Sequence, residues 1–265
     1  MPGPVPQAET TPQKLIPEIR RYFDWEHRKH PSCLLYDTTA HNFLIPSESY
    51  ARKLLGTFDA NLRILEIGSG DGLDSCTLAG KTNAVWGIDV SHRRLKLARQ
   101  NVADAGKAER ILPIHMDANR LAFPDASFDL ILGNSVLLFL DKDRVAAECA
   151  RVLKPGGRAL FTHESMGRHP MLFLWRFNPR VRERERVSRR IGLGDIERMS
   201  RHFVSVRHEE FFLVSVLLAP FVRRWGHWWP VGAAVRAAYA FDRLLGRLVP
   251  PLKNLSWITV VEFRK

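Results

Sequence analysis

The fold of this chain is decided by residues 62–72, which read LRILEIGSGDG. The first six residues are mostly apolar, a composition typical of a strand buried on both faces inside a parallel sheet. Glycine then stands at every second position, at Gly68, Gly70 and Gly72. A Cβ atom at these positions would block a tight turn or the close approach of a ligand to the backbone. The pattern therefore predicts a strand that ends in a ligand-binding loop.

After a predicted helix, a second strand is expected over Val85–Ile88, and it ends at Asp89. A carboxylate at the tip of the second strand can accept hydrogen bonds from both hydroxyls of a ribose. The NAD fingerprint G-x-G-x-x-G, counted from Gly68, would need its third glycine where Leu73 stands. The spacing thus favours a nucleoside ligand other than NAD. The Glu66 carboxylate at the end of the first strand suits a ligand with a positive charge.

In these residues the sequence resembles the class I S-adenosylmethionine (SAM)-dependent methyltransferases, and among them the small-molecule enzymes of the type 11 group. Residues 64–72 match the family motif E/D-x-G-x-G-x-G, and Asp89 matches the acidic residue that binds the ribose. The resemblance implies that SAM is the cofactor. It also implies that the first part of the cofactor site is formed by Glu66, Gly68, Ser69, Gly70, Gly72, Asp89 and Val90.

Three further motifs follow in the order and spacing of the family. The sequence HMDA resembles the adenine motif, in which Asp117 would accept a hydrogen bond from the adenine amino group and the Ala118 amide would meet a ring nitrogen. Residues 128–135 resemble the fourth strand, and the resemblance places Asn134 at the cofactor as well. Residues 151–158 resemble the turn before the fifth strand.

Predicted strands alternate with predicted helices along the chain, which indicates a parallel sheet with helices on both faces. The expected fold class is α/β, with a Rossmann-like, seven-stranded, mostly parallel sheet and a helical cap. In the family the last two strands form an antiparallel pair at the sheet edge, and residues 205–211 and 257–263 match them. The expected organisation is a disordered segment at 1–13, a helical cap at 14–56 that folds over the cofactor, and the SAM-binding domain at 57–265.

Positive charge is concentrated in the second half of the chain. Residues 1–150 hold 18 Lys and Arg against 19 Asp and Glu, whereas residues 151–265 hold 22 against 9. Such asymmetry is typical of a protein with an anionic partner, and also of a soluble protein from an arginine-rich proteome. Within the basic segment 167–202, the arginine-rich run at 178–190 is expected to form a solvated helix, with phosphate binding as the functional alternative.

Residues 212–255 separate the sixth and seventh predicted strands, which are normally joined by a short connection. This insert is apolar, carries Trp225, Trp228 and Trp229, and is punctuated by prolines. A structureless loop of this length is uncommon, so two or more helices beside the active site are expected. We interpret the insert as a helical cap. Two alternatives to a cap stay open, namely contact of the insert with a membrane interface and contact with another protein.

Composition excludes several classes of protein. The three cysteines are scattered, and neither they nor the histidines have metal-ligand spacing, so no metal site and reduced thiols are expected, as in the cytoplasm. The N-terminus lacks the apolar core of a signal peptide. The longest apolar run, Phe211–Val222, is too short to span a bilayer, which takes about 20 residues. The expectation is a cytoplasmic protein, with peripheral membrane contact through the insert as an alternative.

Methyl transfer from a sulfonium is an in-line displacement in which the donor brings its own leaving group. The protein has chiefly to hold acceptor and methyl group in line, and a base is needed only if the acceptor must lose a proton. Candidate residues stand at the ends of the fourth and fifth strands, because open α/β sheets bind ligands there. His163 is the predicted base and Asn134 the second catalytic candidate, with Ser135 and Glu164 beside them.

The fourth strand ends in GNSV, residues 133–136, without the N/D-P-P-Y/F motif common in methyltransferases that act on amines of nucleic-acid bases or on glutamine. The apolar and aromatic surface of the cap favours a small, largely apolar or amphipathic acceptor, such as a natural product or a lipid-like molecule. Two alternatives stay open. One is an RNA methyltransferase, suggested by the basic second half, and the other is a non-catalytic SAM-fold protein that acts at a membrane surface or on a partner.

Overall fold

A seven-stranded sheet lies at the centre of the molecule. The computed structural model describes residues 17–21, 38–55, 61–79, 84–170, 172, 179–218, 222 and 229–265. The strands are β1 (Arg63–Ile67), β2 (Ala84–Asp89), β3 (Ile111–His115), β4 (Phe128–Asn134), β5 (Leu153–Ser165), β6 (Ser205–Phe211) and β7 (Ile258–Arg264). The helices are α1 (Thr38–Leu55), α2 (Leu73–Leu78), α3 (His92–Asp104), α4 (Lys142–Val152), α5 (Pro179–Val187), α6 (Leu193–Ser200) and α7 (Trp229–Leu248).

The strand order is β3-β2-β1-β4-β5-β7-β6. Strands β1 to β5 run parallel, and β7 is antiparallel to both of its neighbours. This confirms the predicted Rossmann-like sheet and the antiparallel pair of β6 and β7 at its edge. The order reverses between β1 and β4, where Ile67 lies between Ile88 and Gly133. The crevice at these carboxyl ends is the place where open α/β sheets bind ligands.

Helices cover both faces of the sheet, as expected for strands whose side chains are apolar on both sides. On one face, buried side chains of α4 and α6, such as Val145 and Met199, pack on the strands. On the other face, Ala51 of α1, Val102 of α3 and Tyr239 of α7 belong to a second apolar cluster. The layers therefore hold the carboxyl edge of the sheet between two packed cores.

The end of α4 differs from the sequence prediction. Residues 155–157, Pro-Gly-Gly, are expected to close that helix, but α4 ends at Val152 and β5 starts at the next residue. The reason is pairing with the last residue of the chain. The Gly156 amide donates to the Lys265 carbonyl at 3.0 Å, and the Lys265 amide donates to the Gly157 carbonyl at 3.0 Å. These bonds hold the segment in the sheet.

The described parts of the predicted N-terminal cap are residues 17–21 and α1, and α1 packs on the face of the sheet. The Arg158 guanidinium on β5 donates to the Leu54 carbonyl at 2.5 Å and to the Leu55 carbonyl at 2.6 Å at the end of this helix. These bonds satisfy two of the carbonyls that every helix leaves without intrahelical partners. Residues 22–37, which make up much of the cap predicted to fold over the cofactor, lie outside the described residues.

The arginine-rich run contains α5, as predicted. Arg186 pairs with Glu183 at 3.2 Å, and Arg190 pairs with Glu185 at 3.2 Å. The exposed pair of Arg186 and Glu183 contributes little to stability, roughly 0–1 kcal/mol, whereas the Arg190 side chain, just after α5, is only 9% exposed. Both pairs neutralise part of the positive charge of the run, which favours a solvated helix over a phosphate site.

The insert begins and ends at the same edge of the sheet as the ends of β4 and β5. Ile258, the first residue of β7, pairs with Ser165 at the end of β5 and with Phe211 at the end of β6. The predicted helix of the insert is present as α7, while Trp225 and Trp228 lie outside the described residues. Among the described helices, none is both long and apolar enough to cross a bilayer.

Candidate functional site

The glycine loop folds back over the end of β2. The Gly68 and Ser69 amides both donate to the Ile88 carbonyl, at 2.8 and 3.0 Å. All three glycines of the motif have positive φ angles, 74° at Gly68, 56° at Gly70 and 77° at Gly72. Left-handed backbone of this kind is costly for residues with a side chain. The loop geometry therefore explains why glycine stands at these alternate positions.

A side chain at Gly68 would also collide with the neighbouring strand connection. A Cβ atom there would lie 2.7 Å from Val136 Cγ2, just beyond β4. A Cβ atom at Gly72 would lie 3.2 Å from the Ala98 Cβ of α3. The loop is thus pressed between β4 and α3, which brings its backbone to the crevice at the carboxyl ends of the strands.

Asp89 is fixed at the end of β2 by two backbone amides. Its Oδ2 accepts from the Gly70 amide at 3.0 Å, and its Oδ1 accepts from the Ser91 amide at 2.8 Å. Burial raises the pKa of Asp89, while the nearby Arg94 guanidinium and these two amides oppose that rise. Each carboxylate oxygen keeps a lone pair for a further donor. The position agrees with the predicted role of accepting two ribose hydroxyls.

Glu66 lies beneath the loop and is buried. The Ser75 hydroxyl, in the first turn of α2, donates a hydrogen bond to Glu66 Oε2. Burial raises the pKa of Glu66 to about 8, and the carboxylates of Asp74 and Asp71 raise it further, whereas the bond from Ser75 lowers it. A carboxyl group in this state responds strongly to an added positive charge. Glu66 is therefore placed to be ionised by a ligand that carries one.

Replacing Glu66 by glutamine should flatten the pH dependence of stability. The pKa of the carboxyl group is 4.5 when exposed and about 8 in the folded protein. Between pH 4.5 and pH 8 the folded protein therefore holds a proton that the unfolded chain has lost. The free energy of unfolding of the natural protein should therefore fall as pH rises from about 5 to 8. Glutamine resembles the protonated acid, so Glu66→Gln should be more stable above pH 8 by about 5 kcal/mol. Urea unfolding across this pH range measures the difference.

The exposed Glu109→Gln substitution is the matched control for that experiment. It removes the same charge from a surface residue and should leave the pH profile of the natural protein unchanged. Identical pH profiles for Glu66→Gln and the natural protein would contradict the burial argument for Glu66.

Gly87, inside β2, was not recognised as a site residue from the sequence. A Cβ atom there would lie 2.9 Å from both Cβ and Oγ of Ser69, and 3.2 Å from the Ser75 hydroxyl. The absent side chain leaves the space in which the glycine loop rests on the strand. A glycine in the middle of a buried strand often marks such a close approach, so the signal was present in the sequence.

Gly87→Ala should displace the loop. Overpacking of this kind costs about 1–3 kcal/mol of stability, and the displaced Ser69 should weaken ligand binding at the loop as well. Gly194→Ala is the control, because a Cβ atom at Gly194 meets nothing within 4 Å and alanine favours a helix such as α6. Thermal melting and ligand titration of both variants test this. A Gly87→Ala protein as stable as the natural one would contradict the close packing.

The predicted adenine residues lie beside the end of β2. The Met116 amide donates to the Asp89 carbonyl at 3.2 Å, which connects the two loops. Asp117 Oδ1 accepts from the backbone amide and the side-chain amide of Asn119, at 2.9 and 2.8 Å. Ala118 is buried in the core beneath this turn. Asn119 holds the Asp117 carboxylate in place and could not be identified from the motif.

Asn134 and His163, the two catalytic candidates, lie within hydrogen-bond distance of each other. Asn134 Nδ2 donates to Asp74 Oδ2 at 3.2 Å, which turns its Oδ1 toward His163 Nδ1 at 3.2 Å. In this arrangement the neutral imidazole carries its proton on Nδ1, and Nε2 is the basic nitrogen. Burial lowers the pKa of His163 to about 4. The ring is therefore neutral at physiological pH and able to accept a proton.

A bulge in β5 sets the direction of the His163 side chain. The pairing of β5 with β7 shifts register between Phe161 and Glu164, and His163 has a φ angle of 53°. Bulges are common beside active sites, where they redirect a side chain. Strain at a non-glycine residue of this kind is also concentrated at functional sites.

The Glu164 carboxylate is turned toward the backbone amides that follow β4. Its two carboxylate oxygens accept from the Val136 amide at 2.9 Å and from the Leu137 amide at 3.0 Å, at the start of a short 3-10 helix. Burial raises the pKa of Glu164 to about 7, while these amides oppose the rise. Glu164 is thus a capping residue. Ser135, the other neighbour considered from the sequence, has a φ angle of 51° and shapes the same turn.

The residues of the loop fit a nucleoside with a positively charged tail. The Ser69 hydroxyl is buried and, within the described part of the chain, has no hydrogen-bond partner. Buried hydroxyls are normally paired, so one without a partner is a candidate ligand contact. Asp89 and Glu66 add two carboxylates at the ends of adjacent strands. Among the described residues, no cluster of His, Cys, Asp or Glu could hold a metal ion.

Comparison with known proteins supports this geometry. Residues 65–161 match the family model described as "Methyltransferase domain". The methyltransferase GfsG of Streptomyces halstedii is 41% identical over 101 residues, covering 37% of this chain and 36% of that protein. A phosphatidylethanolamine N-methyltransferase of Cereibacter sphaeroides is 37% identical over 102 residues, covering 38% of this chain and 50% of that protein. The matched segment thus spans half or less of the length of these relatives.

The fold extends beyond the matched sequence. The structure of phosphoethanolamine N-methyltransferase 2 of Haemonchus contortus, in complex with S-adenosyl-L-methionine, superposes with a TM-score of 0.61 at 17% identity. The superposition covers 92% of this chain and 59% of that one. At this identity the likeness concerns the fold alone, and it includes elements on both sides of residues 65–161.

Proposed function

We propose, from the match of residues 65–161 to the methyltransferase-domain model, that the protein is a class I SAM-dependent methyltransferase that transfers a methyl group from SAM to a small, largely apolar or amphipathic acceptor. The observation that carries the proposal is the joining of the glycine loop to Asp89 through the Gly70 amide. That bond places a positive-φ loop and a ribose-binding carboxylate at the same end of the sheet.

The residues that bind the cofactor in this proposal line the ends of β1, β2 and β4. Asp89 accepts the two ribose hydroxyls, and Asp117 with the Ala118 amide recognises the adenine ring. The Gly68–Gly72 loop approaches the tail with its backbone, and the Ser69 hydroxyl supplies a donor. The Glu66 carboxylate offsets the positive charge of the ligand. Val90 and Asn134 complete the contacts.

SAM supplies the methyl group together with its own leaving group. The protein has then to hold the acceptor in line and exclude water, and such positioning contributes about 7–11 kcal/mol. Where the acceptor must lose a proton, His163 takes it on Nε2 while Asn134 holds the opposite ring nitrogen. The neutral state of this buried ring keeps it ready to accept.

The proposed acceptor class follows from what surrounds the carboxyl edge. The insert leaves this edge at Phe211 and returns to it at Ile258. Helix α7 is joined to the residues just after β6, because Asp242 accepts from the Leu213 and Val214 amides. A relative of 37% identity is named a phosphatidylethanolamine N-methyltransferase, which is consistent with an amphipathic acceptor. Apolar pockets with few polar groups are typical of sites for such molecules.

Calorimetric titration with S-adenosylhomocysteine, with NAD as the control, tests the cofactor assignment. We expect the protein to bind S-adenosylhomocysteine and not to bind NAD. Transfer of label from tritiated SAM to dispersed lipid-like molecules, compared with total RNA, then tests the acceptor. Label in the RNA, weakened steeply by salt, would replace the small-molecule proposal. Absence of binding to S-adenosylhomocysteine would refute the enzymatic one.

A further inference from the structure

Helix α7 exposes a stripe of large apolar side chains. Phe241 is 54% exposed, Leu244 is 53% exposed and Leu248 is 70% exposed. Their spacing of three and four residues places them on one face of the helix, with the exposed Ala237 one turn before. Single apolar residues on a surface are ordinary, but a continuous row on one helix marks an interaction surface.

A row of positive charge runs beside this stripe. Arg236, Arg243 and Arg247 recur at spacings of seven and four residues, which places them together along one flank of the apolar row. The helix has one acidic residue, Asp242, and it is buried. Arg243 pairs with Glu209 of β6 at 3.2 Å, so the positive charge of this face rests mainly on Arg236 and Arg247. The exposed face of α7 therefore combines apolar and positively charged side chains, and α7 itself adds no exposed negative charge. We call this face the α7 surface.

The opposite side of the helix is held firmly against the protein. Asp242 accepts from the Leu213 amide at 3.0 Å, the Val214 amide at 2.8 Å and the Ser215 hydroxyl at 2.5 Å. The Tyr239 hydroxyl donates to Glu209 at 2.7 Å. These bonds fix the rotation of α7 about its axis. The α7 surface therefore cannot turn inward to bury its apolar row.

Two neighbouring segments extend the exposed apolar area. Leu217 lies on the 3-10 helix Ser215–Leu218, which packs against α7, and is 55% exposed. Val249, directly after α7, is 42% exposed. Lys253 follows on the 3-10 helix Pro250–Leu255. The apolar patch with basic residues at its border thus reaches the point where the chain re-enters the sheet at the carboxyl edge.

We propose that the α7 surface docks the protein on an anionic lipid surface. The argument for this occupant is charge complementarity. Apolar side chains that enter the acyl boundary beside arginines at headgroup level are the pattern of helices that lie in a membrane interface. Each arginine near an anionic surface strengthens binding about fivefold. The long arginine side chains reach phosphate groups while their stems lie along the apolar row.

Docking in this way would turn the carboxyl edge of the sheet toward the membrane. An amphipathic acceptor could then reach the site from the lipid without crossing water. Delivery of the acceptor from the lipid rests on the proposed function, whereas docking on the lipid does not. Either one can therefore fail without the other.

Vesicle flotation tests the docking. We expect the full chain to float with vesicles of phosphatidylcholine mixed with phosphatidylglycerol, and on the order of tenfold less with phosphatidylcholine alone. The triple variant Phe241→Ser, Leu244→Ser, Leu248→Ser should lose flotation. The pair Arg236→Gln, Arg247→Gln should weaken it by on the order of tenfold or more. Each substituted residue is exposed, so the fold should be retained.

Matched controls change similar side chains elsewhere. Leu112→Ser with Val204→Ser removes exposed apolar side chains from other faces, and Arg99→Gln with Arg110→Gln removes two exposed charges. Both controls should float as the natural protein does. Absence of flotation of the natural protein, or equal losses in the controls, would overturn the proposal.

Two further measurements separate the remaining outcomes. Light scattering would overturn the proposal if it showed a dimer that the triple serine variant converts to a monomer, because the α7 surface would then join two copies of the chain. Titration with S-adenosylhomocysteine on the same samples should give equal affinities for the natural protein and the triple variant. If neither the natural protein nor the triple variant binds S-adenosylhomocysteine, the proposed function is refuted, while the flotation result is unaffected.

Discussion

Asp89→Ala should weaken the binding of S-adenosylhomocysteine at least about a hundredfold, because each hydrogen bond to a charged group contributes about 1.5–3 kcal/mol. Two ribose hydroxyls would lose their acceptor at once. The substitution also leaves the Gly70 and Ser91 amides without the carboxylate that now accepts from them. Loosening of the glycine loop should add to the loss. Calorimetric titration measures the affinity, and circular dichroism checks that the fold is retained.

A double cycle that changes both residue 89 and the ligand separates the loss of the ribose contact from the loosening of the glycine loop. Asp89→Asn keeps one oxygen acceptor, so the loop should suffer less. The natural protein should bind the 2′-deoxy analogue of S-adenosylhomocysteine more weakly than the parent ligand, whereas the variant should hardly distinguish the two. A variant that discriminates as strongly as the natural protein would contradict the ribose assignment. Normal affinity of Asp89→Ala would do so as well.

His163→Ala should lower kcat by about a hundredfold to ten-thousandfold if His163 is the base, which is the usual contribution of such a group. Binding of S-adenosylhomocysteine should change little, since His163 is not itself among the proposed cofactor contacts. Burial lowers the pKa of His163 to about 4, so the ring should be neutral at higher pH. The rate should therefore be level above about pH 5 and should fall below it as the imidazole becomes protonated.

The exposed His202→Gln substitution is the control and should leave the rate unchanged. Asn134→Ala removes the acceptor that faces Nδ1, so it should lower kcat and disturb the pH profile without removing the imidazole. Full activity of His163→Ala would mean that the acceptor needs no base and that alignment alone sustains the reaction.

Much of the sheet could be predicted because its signals are local. The strand Ser205–Phe211 is confirmed at both ends, and Ser91, a residue type that favours the N-cap position, caps α3 by accepting from the Arg94 amide at 3.3 Å. Buried strands leave continuous apolar runs, and glycine marks turns that other residues cannot adopt. The resemblance to SAM-dependent methyltransferases was found for the same reason, since residues 62–72 combine an apolar run with alternate glycines.

The rest depends on contacts between residues far apart in the sequence. Asn134 meets Asp74 across 60 positions, and the direction of His163 depends on a bulge that forms only against β7. The extension of β5 through residues 155–157 required the end of the chain to pair with it. No local pattern encodes such pairings. The roles of Asp117, Ala118 and His163 toward ligands stay predictions for the same reason, and the experiments above address the main ones.

The hairpin of β6 and β7 is closed at its base by the bond from the Trp257 amide to the Phe211 carbonyl, 3.0 Å long. This bond joins the two ends of the segment 212–256. Lengthening a tight turn to this size costs only about 2 kcal/mol in chain entropy, because the penalty grows with the logarithm of length. Chain entropy therefore sets almost no limit on the length of this segment. A segment of another length could change what reaches the catalytic edge while the register of the sheet and the cofactor loop stay as they are.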